Sequence, residues 1–146
     1  MRALLQRVQH ASVCVDGKTV GAIEQGLLVF LGVGKDDDVI KTHKMIEKIL
    51  KYRVFSDADD KMNLSLKDIQ GGLLIVSQFT LQAETAKGLR PSFTPAAEPK
   101  TAKLLYDEAI VFAKQHYSED LVQTGEFAAD MQISIVNDGP VTFLLE

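Results

Sequence analysis

Two short turns, Asp16-Gly17 and Gln25-Gly26, cut the first 33 residues into three strand-like segments. Strands joined by so few residues must pair antiparallel, because a parallel partner needs a crossover of a dozen residues or more. Leu4–Val15 sets Val8, Val13 and Val15 among polar residues, and Thr19–Ile23 follows the first turn. Leu27–Val33 is apolar enough for a central strand buried on both faces. After Gly34, the run Asp36-Asp37-Asp38 offers N-cap candidates and first-turn acids for a helix to about Tyr52. Ile46, Ile49, Leu50 and Arg53 fall at helical spacing along it. Val54–Phe55 starts a short extended piece, Ser56–Asn63 reads as a polar loop, and Leu73–Leu81 is the most strand-like segment of the chain.

Residues 82–98 form a long loop with Gly88, Pro91 and Pro95, beyond ordinary connection lengths and of the kind that carries function. Pro99 opens a second helix to about His116, with Ala102, Leu105, Ala109 and Phe112 on one face. Leu121–Thr124, Met131–Asn137 and Val141–Leu145 read as three closing strands, the last two joined through Asp138-Gly139-Pro140. This order gives an α+β fold with largely antiparallel sheet and two main helices. At 146 residues the chain is expected to be a single domain, 1–146, burying roughly 68–70% of its unfolded surface without a disulfide or metal staple.

Composition narrows the function. One cysteine, Cys14, makes no internal disulfide, and Met1–Arg7 carries no apolar stretch for a secretory signal, so a cytoplasmic location is expected. No run approaches the ~20 apolar residues of a membrane helix. The net charge of −4 argues against a general nucleic-acid binder. The charge is uneven, however. Residues 1–103 hold 15 Lys and Arg against 12 Asp and Glu, whereas residues 104–146 hold only Lys114 against eight acids. Lys41, Lys44, Lys48 and Lys51 form a lysine row whose simplest reading is a solvated helix face, with RNA contact the minority reading.

His10, His43 and His116 are scattered, so no metal site and no cofactor are expected. Neither G-x-G-x-x-G nor a P-loop is present. No Ser-His-Asp or Cys-His pairing is evident either. Two features stand out. Ser77-Gln78-Phe79-Thr80 ends an apolar strand where it meets the long loop, a place where side chains and backbone N–H groups face a cleft; pattern alone favours Ser77 and Thr80 as strand caps. Asn137-Asp138-Gly139-Pro140-Val141-Thr142 puts proline at the start of the last strand. Taken alone it reads as an ordinary turn with a trans bond.

Together with Arg7-Val8, Ala11-Ser12-Val13, Gly32-Val33, Tyr52-Arg53-Val54-Phe55-Ser56-Asp57, Lys61-Met62-Asn63, Arg90-Pro91-Ser92-Phe93, Thr124-Gly125 and Phe127-Ala128-Ala129-Asp130-Met131, these segments make the chain resemble the D-aminoacyl-tRNA deacylase family. The resemblance spans the whole chain, and Ser-Gln-Phe-Thr and Gly-Pro-Val-Thr are its most specific motifs. It implies a barrel-like core and a homodimer, with the active site at the subunit interface, that hydrolyses the ester between a D-amino acid or glycine and tRNA. Carried over residue by residue, Ser77, Gln78, Phe79 and Thr80 line the pocket. Gly139 and Pro140, joined by a cis bond, reach into the partner's pocket, and Arg7 holds that segment. With no base beside Thr80, backbone N–H groups around Gln78 to Thr80 are expected to stabilise the oxyanion, with a water or the substrate's own 2′-hydroxyl assisting. The competing readings are an editing module for L-aminoacyl-tRNA and a non-catalytic dimer that binds small molecules.

Overall fold

The computed structural model describes residues 1–146. β1 (Arg2–Val15) runs for 14 residues and organises the sheet. One of its edges pairs first with β3 (Gly26–Gly32) and then with β2 (Lys18–Ile23), both antiparallel and in one continuous register up to a bulge at Val13/Cys14. Gln25-Gly26 is therefore a bend in one line of chain rather than a reversal, and β2 and β3 do not pair with each other. β3 continues through α1 (Val39–Lys51), the short hairpin β4 (Phe55–Ser56)–β5 (Met62–Leu64) and α2 (Leu66–Ile69) to β6 (Gly72–Ser77). α3 (Pro99–His116) and β7 (Val122–Thr124) follow. Both strand–helix–strand crossovers return parallel, β3 to β6 and β6 to β7, as a crossover of that length requires. The sheet is thus mixed, with antiparallel pairing dominant around β1.

The two expected closing strands 131–137 and 141–145 are a single strand, β8 (Gln132–Leu145), lying along the other edge of β1. Gln6 pairs with Thr142 and Val8 with Asn137, so four residues of β8 bulge out opposite Arg7 alone. The Gly139–Pro140 bond at the crest of this bulge is cis, not the trans bond expected of an isolated turn.

The strand period of two explains the core. On β3 and β6 the odd residues Leu27, Val29, Leu31, Leu73 and Ile75 pack against Ile46, Ile49 and Leu50 of α1 and Tyr106, Ala109 and Ala113 of α3. The even residues Leu28, Leu74 and Val76 turn the other way, onto Val8, Ala11, Val13 and Ile23 inside the curled sheet. Each large aliphatic side chain so buried contributes roughly 1.5–3 kcal/mol. The sheet curls until it is nearly closed into a barrel: β2 approaches β7 so closely that a Cβ on Gly21 would lie 2.2 Å from Thr124 O.

α3 keeps its expected ends, and α1 departs from expectation at its first turn. Asp38 alone caps α1, its Oδ1 accepting from Lys41 N at 2.8 Å, and no acid stands in the first turn. Asp37 instead takes the Gly34 N–H at 2.7 Å and the buried Met1 α-ammonium at 2.7 Å. Arg53 lies beyond the helix, exposed. The acidic loop is a tight hairpin turn: Asp57 Oδ1 accepts from the backbone N–H groups of Asp59 and Lys61. Those bonds, Lys61 first, hold its carboxyl below the usual carboxylate range. The reciprocal Ser65–Asp68 capping box of α2 does the same for Asp68.

Candidate active site

β6 ends at Ser77, and the Gln78 N–H makes the last ladder bond, to Leu31 O at 2.8 Å. Phe79–Gln82, expected to prolong the strand, instead winds into a 3-10 turn. Gln82 anchors that turn from within, its buried Nε2 donating to Gly32 O at 2.7 Å. The first bond of the turn runs from Leu81 N to Gln78 O. The Phe79 and Thr80 N–H groups therefore lead the turn with no acceptor inside it, as at the start of any helix. The Gln78 N–H, by contrast, is consumed by the sheet.

A cavity of about 530 Å³ opens beside this turn, at the carboxyl ends of parallel strands β3 and β6. Ligands of open α/β sheets settle at this end of the strands too. Leu31, Val33, Val76, Ser77, Gln78 and Phe79 form one side of it. Pro99, Ala102 and Tyr106 of α3 form another, and Phe127, Ala128, Ala129, Met131 and Ile133 close it. Tyr106 is the one lining residue with an ionisable side chain. Burial pushes its hydroxyl pKa well up, and it donates to Ile75 O at 2.7 Å, so it stays protonated and engaged. The lining contains no histidine, carboxylate, lysine or cysteine. Nor does any group of three or more His, Cys, Asp and Glu side chains converge elsewhere in the fold.

Ser77, Gln78 and Phe79 thus lie in the cavity wall, and Thr80 stands just outside it, exposed, its Oγ1 accepting from Gln78 Nε2 at 2.6 Å. Gly139 and Pro140 are exposed on the β8 bulge and take no part in the wall of their own chain's cavity. The bulge is nevertheless firmly tied. Arg7 Nε donates to Asp138 O at 2.9 Å, and its Nη1 donates to Val54 O at 2.7 Å. Asn137 Oδ1 accepts from Val141 N at 2.9 Å across the base of the bulge. No α1 residue reaches the cavity, so the lysine row is remote from it; Lys51 pairs with Glu47 and Lys41 Nζ donates to Asp36 O.

The wall 127–133 and the α3 residues were not legible as site residues from sequence chemistry. Phe127 and Ala129 are ordinary apolar residues outside any periodic segment, and Met131 reads only as the first residue of a closing strand. They face the cavity because of a turn in which Ala128 takes φ +62°. A non-glycine residue at positive φ is uncommon enough to mark such a turn in a fold, but it leaves no trace in sequence.

An apolar cavity with amide and hydroxyl groups at one end, and no acid or base in its wall, can hold and orient a ligand through fixed donors and shape. The family model described as D-Tyr-tRNA(Tyr) deacylase matches residues 4–146. D-aminoacyl-tRNA deacylases of Acinetobacter baylyi and Shewanella sediminis are 58% and 57% identical, each over all of this chain and 99% of theirs. Among solved structures, one described as c-Myc DNA Unwinding Element Binding Protein superposes with a TM-score of 0.96 at 41% identity, covering 100% of this chain and 98% of that one. A probable eukaryotic D-amino acid tRNA deacylase shares the fold, with a TM-score of 0.86 at 18% identity over 99% and 97% of the two chains. The chain belongs to the D-aminoacyl-tRNA deacylase family, hydrolases of the aminoacyl-tRNA ester bond. No helix is long and apolar enough to cross a membrane.

Proposed function

We propose that this protein removes D-amino acids, and glycine, from the 3′-terminal adenosine of tRNA, acting as a homodimer whose active sites lie at the subunit interface. The observation that carries the mechanism is the pair of N–H groups, Phe79 and Thr80, leading the 3-10 turn at the edge of a cavity without a titratable base. Hydrolysis there consumes one water, which attacks the ester carbonyl with a second water or the terminal ribose 2′-hydroxyl assisting, and the two amides receive the charge that develops on the carbonyl oxygen. One such donor is typically worth ~10²–10³ in rate. The amides are held by the Gln82–Gly32 bond beneath them and cost no reorganisation during reaction.

Selection for D-substrates is assigned to the Gly139-Pro140 backbone of the partner. In its own chain that segment is exposed and outside the cavity while being tied at both ends, which suits a wedge acting in trans. A rigid backbone carbonyl beside the substrate Cα binds its amino group and leaves no room for an L-side chain. Glycine has no side chain to exclude and passes. The exposed Phe79 and Gly139-Pro140 leave both elements free to meet a partner subunit, and the dimer is assigned to the cytoplasm.

Deacylation of paired D-, L- and glycyl-tRNA tests this reading. D- and glycyl-esters are expected to be cleaved and the L-ester retained. Equal cleavage of the L-ester would install the L-editing alternative, and cleavage of none would leave a small-molecule-binding dimer. In the same assay Thr80→Ala is expected to keep activity within about 100-fold of wild type, because no base stands ready to make Thr80 a nucleophile. A loss near the ~10⁶-fold typical of removing a covalent nucleophile, or an acyl-enzyme trapped at Thr80, overturns that assignment.

A further inference from the structure

The long connection between the 3-10 turn and α3 carries a feature that the cavity does not use. Glu84 and Ser92 exchange backbone hydrogen bonds, Glu84 N to Ser92 O at 2.8 Å and Ser92 N to Glu84 O at 3.1 Å, and so close a finger whose tip is residues 85–91. Its root is fixed to the cavity rim in two places. Phe93 meets Phe79 edge to face, with ring centroids 5.0 Å apart. Beyond it, Lys35 N donates to Pro95 O and Ala97 N donates to Val33 O, each at 3.0 Å. The tip presents Lys87 and Arg90, both exposed, with Leu89 between them fully open to solvent. Neither cation has a carboxylate within ion-pair distance; such pairs engage Arg2, Arg7, Lys51, Lys103 and Lys114 instead. In a chain of net charge −4, no acid occurs between Glu84 and Glu98.

We propose that this finger is a phosphate-binding element that holds the single-stranded acceptor end of the tRNA as its terminal nucleoside enters the cavity. The inference rests on the deacylase reading for the identity of the RNA. The cavity itself is uncharged and attracts no phosphate, so charge complementarity must come from its rim. The finger carries two unpaired cations on a root locked to the same Phe79 that lines the site. Leu89 supplies an apolar surface for the sugar or base between the two phosphates. A protein partner would call for a broad apolar face at the tip, where the one large apolar side chain, Leu89, stands between two cations.

The test compares wild type with Lys87→Ala/Arg90→Ala and with the charge-keeping Lys87→Arg/Arg90→Lys, on D-aminoacyl-tRNA between low and physiological salt. The alanine variant is expected to raise KM roughly tenfold and leave kcat within twofold. The slope of log affinity against log salt should flatten by about 1.4, two contacts at about 0.7 each for a single strand. The charge-keeping variant should behave as wild type. D-aminoacyl-adenosine, which carries no phosphate, should be cleaved equally by all three. Unchanged KM and salt slope overturn the proposal, as does an equal loss on D-aminoacyl-adenosine, which would make the finger part of the cavity's structure. Binding of an uncharged acceptor-stem hairpin RNA, followed by fluorescence anisotropy, decides the finger separately. If wild type cleaves no D-aminoacyl-tRNA, the deacylase reading fails, while a loss of RNA affinity confined to the alanine variant still supports the finger and equal affinities still refute it.

Discussion

Gly139→Ala is expected to lower kcat/KM for D-aminoacyl-tRNA by about 100-fold or more while leaving a folded protein. Gly139 sits at φ +147°, where an L-side chain is strained, and an added Cβ would lie 2.6 Å from Val141 Cγ2 and 2.7 Å from Val141 N. Val141 is buried and its N–H is bonded to Asn137, so it does not yield. The bulge must move instead. Because the bulge is exposed and β8 pairs with β1 on both sides of it, the displacement is absorbed at the surface and the sheet survives. A misplacement of about 1 Å in a positioning group is enough for ~10²-fold in rate. Single-turnover deacylation together with thermal denaturation checks this. A variant with wild-type D-selective activity would remove the Gly139-Pro140 backbone from the site.

Gly21→Ala is expected to act on the barrel itself. The new Cβ meets the Thr124 carbonyl oxygen at 2.2 Å and the Leu74 side chain at 3.3 Å, and a backbone carbonyl cannot rotate out of the way. β2 and β7 must part, at a cost of about 3 kcal/mol, the upper range of ordinary overpacking. For a chain of this size that lowers Tm by roughly 10 °C. β7 leads through Gly125 directly into the Phe127–Met131 cavity wall, so activity is expected to fall with stability, and more steeply on the approach to Tm. An unchanged Tm would mean that β2 and β7 do not close on one another in solution.

The second prediction turns on a contact between distant parts of the chain, Gly21 against Thr124, which marks where reading the residues in order stops being sufficient. α3 was legible to the residue: Pro99 at its first position and Ala102, Leu105 and Ala109 at helical spacing are local signals, and the helix runs from Pro99 to His116. The doubly buried β3 was legible for the same reason, since a continuous apolar run needs cover on both faces wherever it lies. Ser77-Gln78-Phe79 could be picked out because a strand ending at a long loop exposes its last residues. The resemblance to a known family then assigned roles to Arg7, which no local pattern suggested, and to Gly139 and Pro140, which pattern alone read as an ordinary turn.

Pairing partners were a different matter. Asp138-Gly139-Pro140 looks like a link between two strands, yet Met131–Asn137 and Val141–Leu145 continue in one direction, because β1 is long enough to pair with both and Arg7 fills the gap the bulge leaves. Phe79–Leu81 has the composition of a strand. It turns because Gly32 and Gln82 lock it through a hydrogen bond spanning 50 positions. The cavity wall at Phe127–Met131 and the finger's seat on Phe79 are likewise decided by neighbours far along the chain. Local backbone preference and period are encoded within a few residues and were determined by the sequence alone. Which edges meet, and which apolar residues face a cavity rather than the core, depends on how the whole sheet curls, and only the tertiary structure decided that.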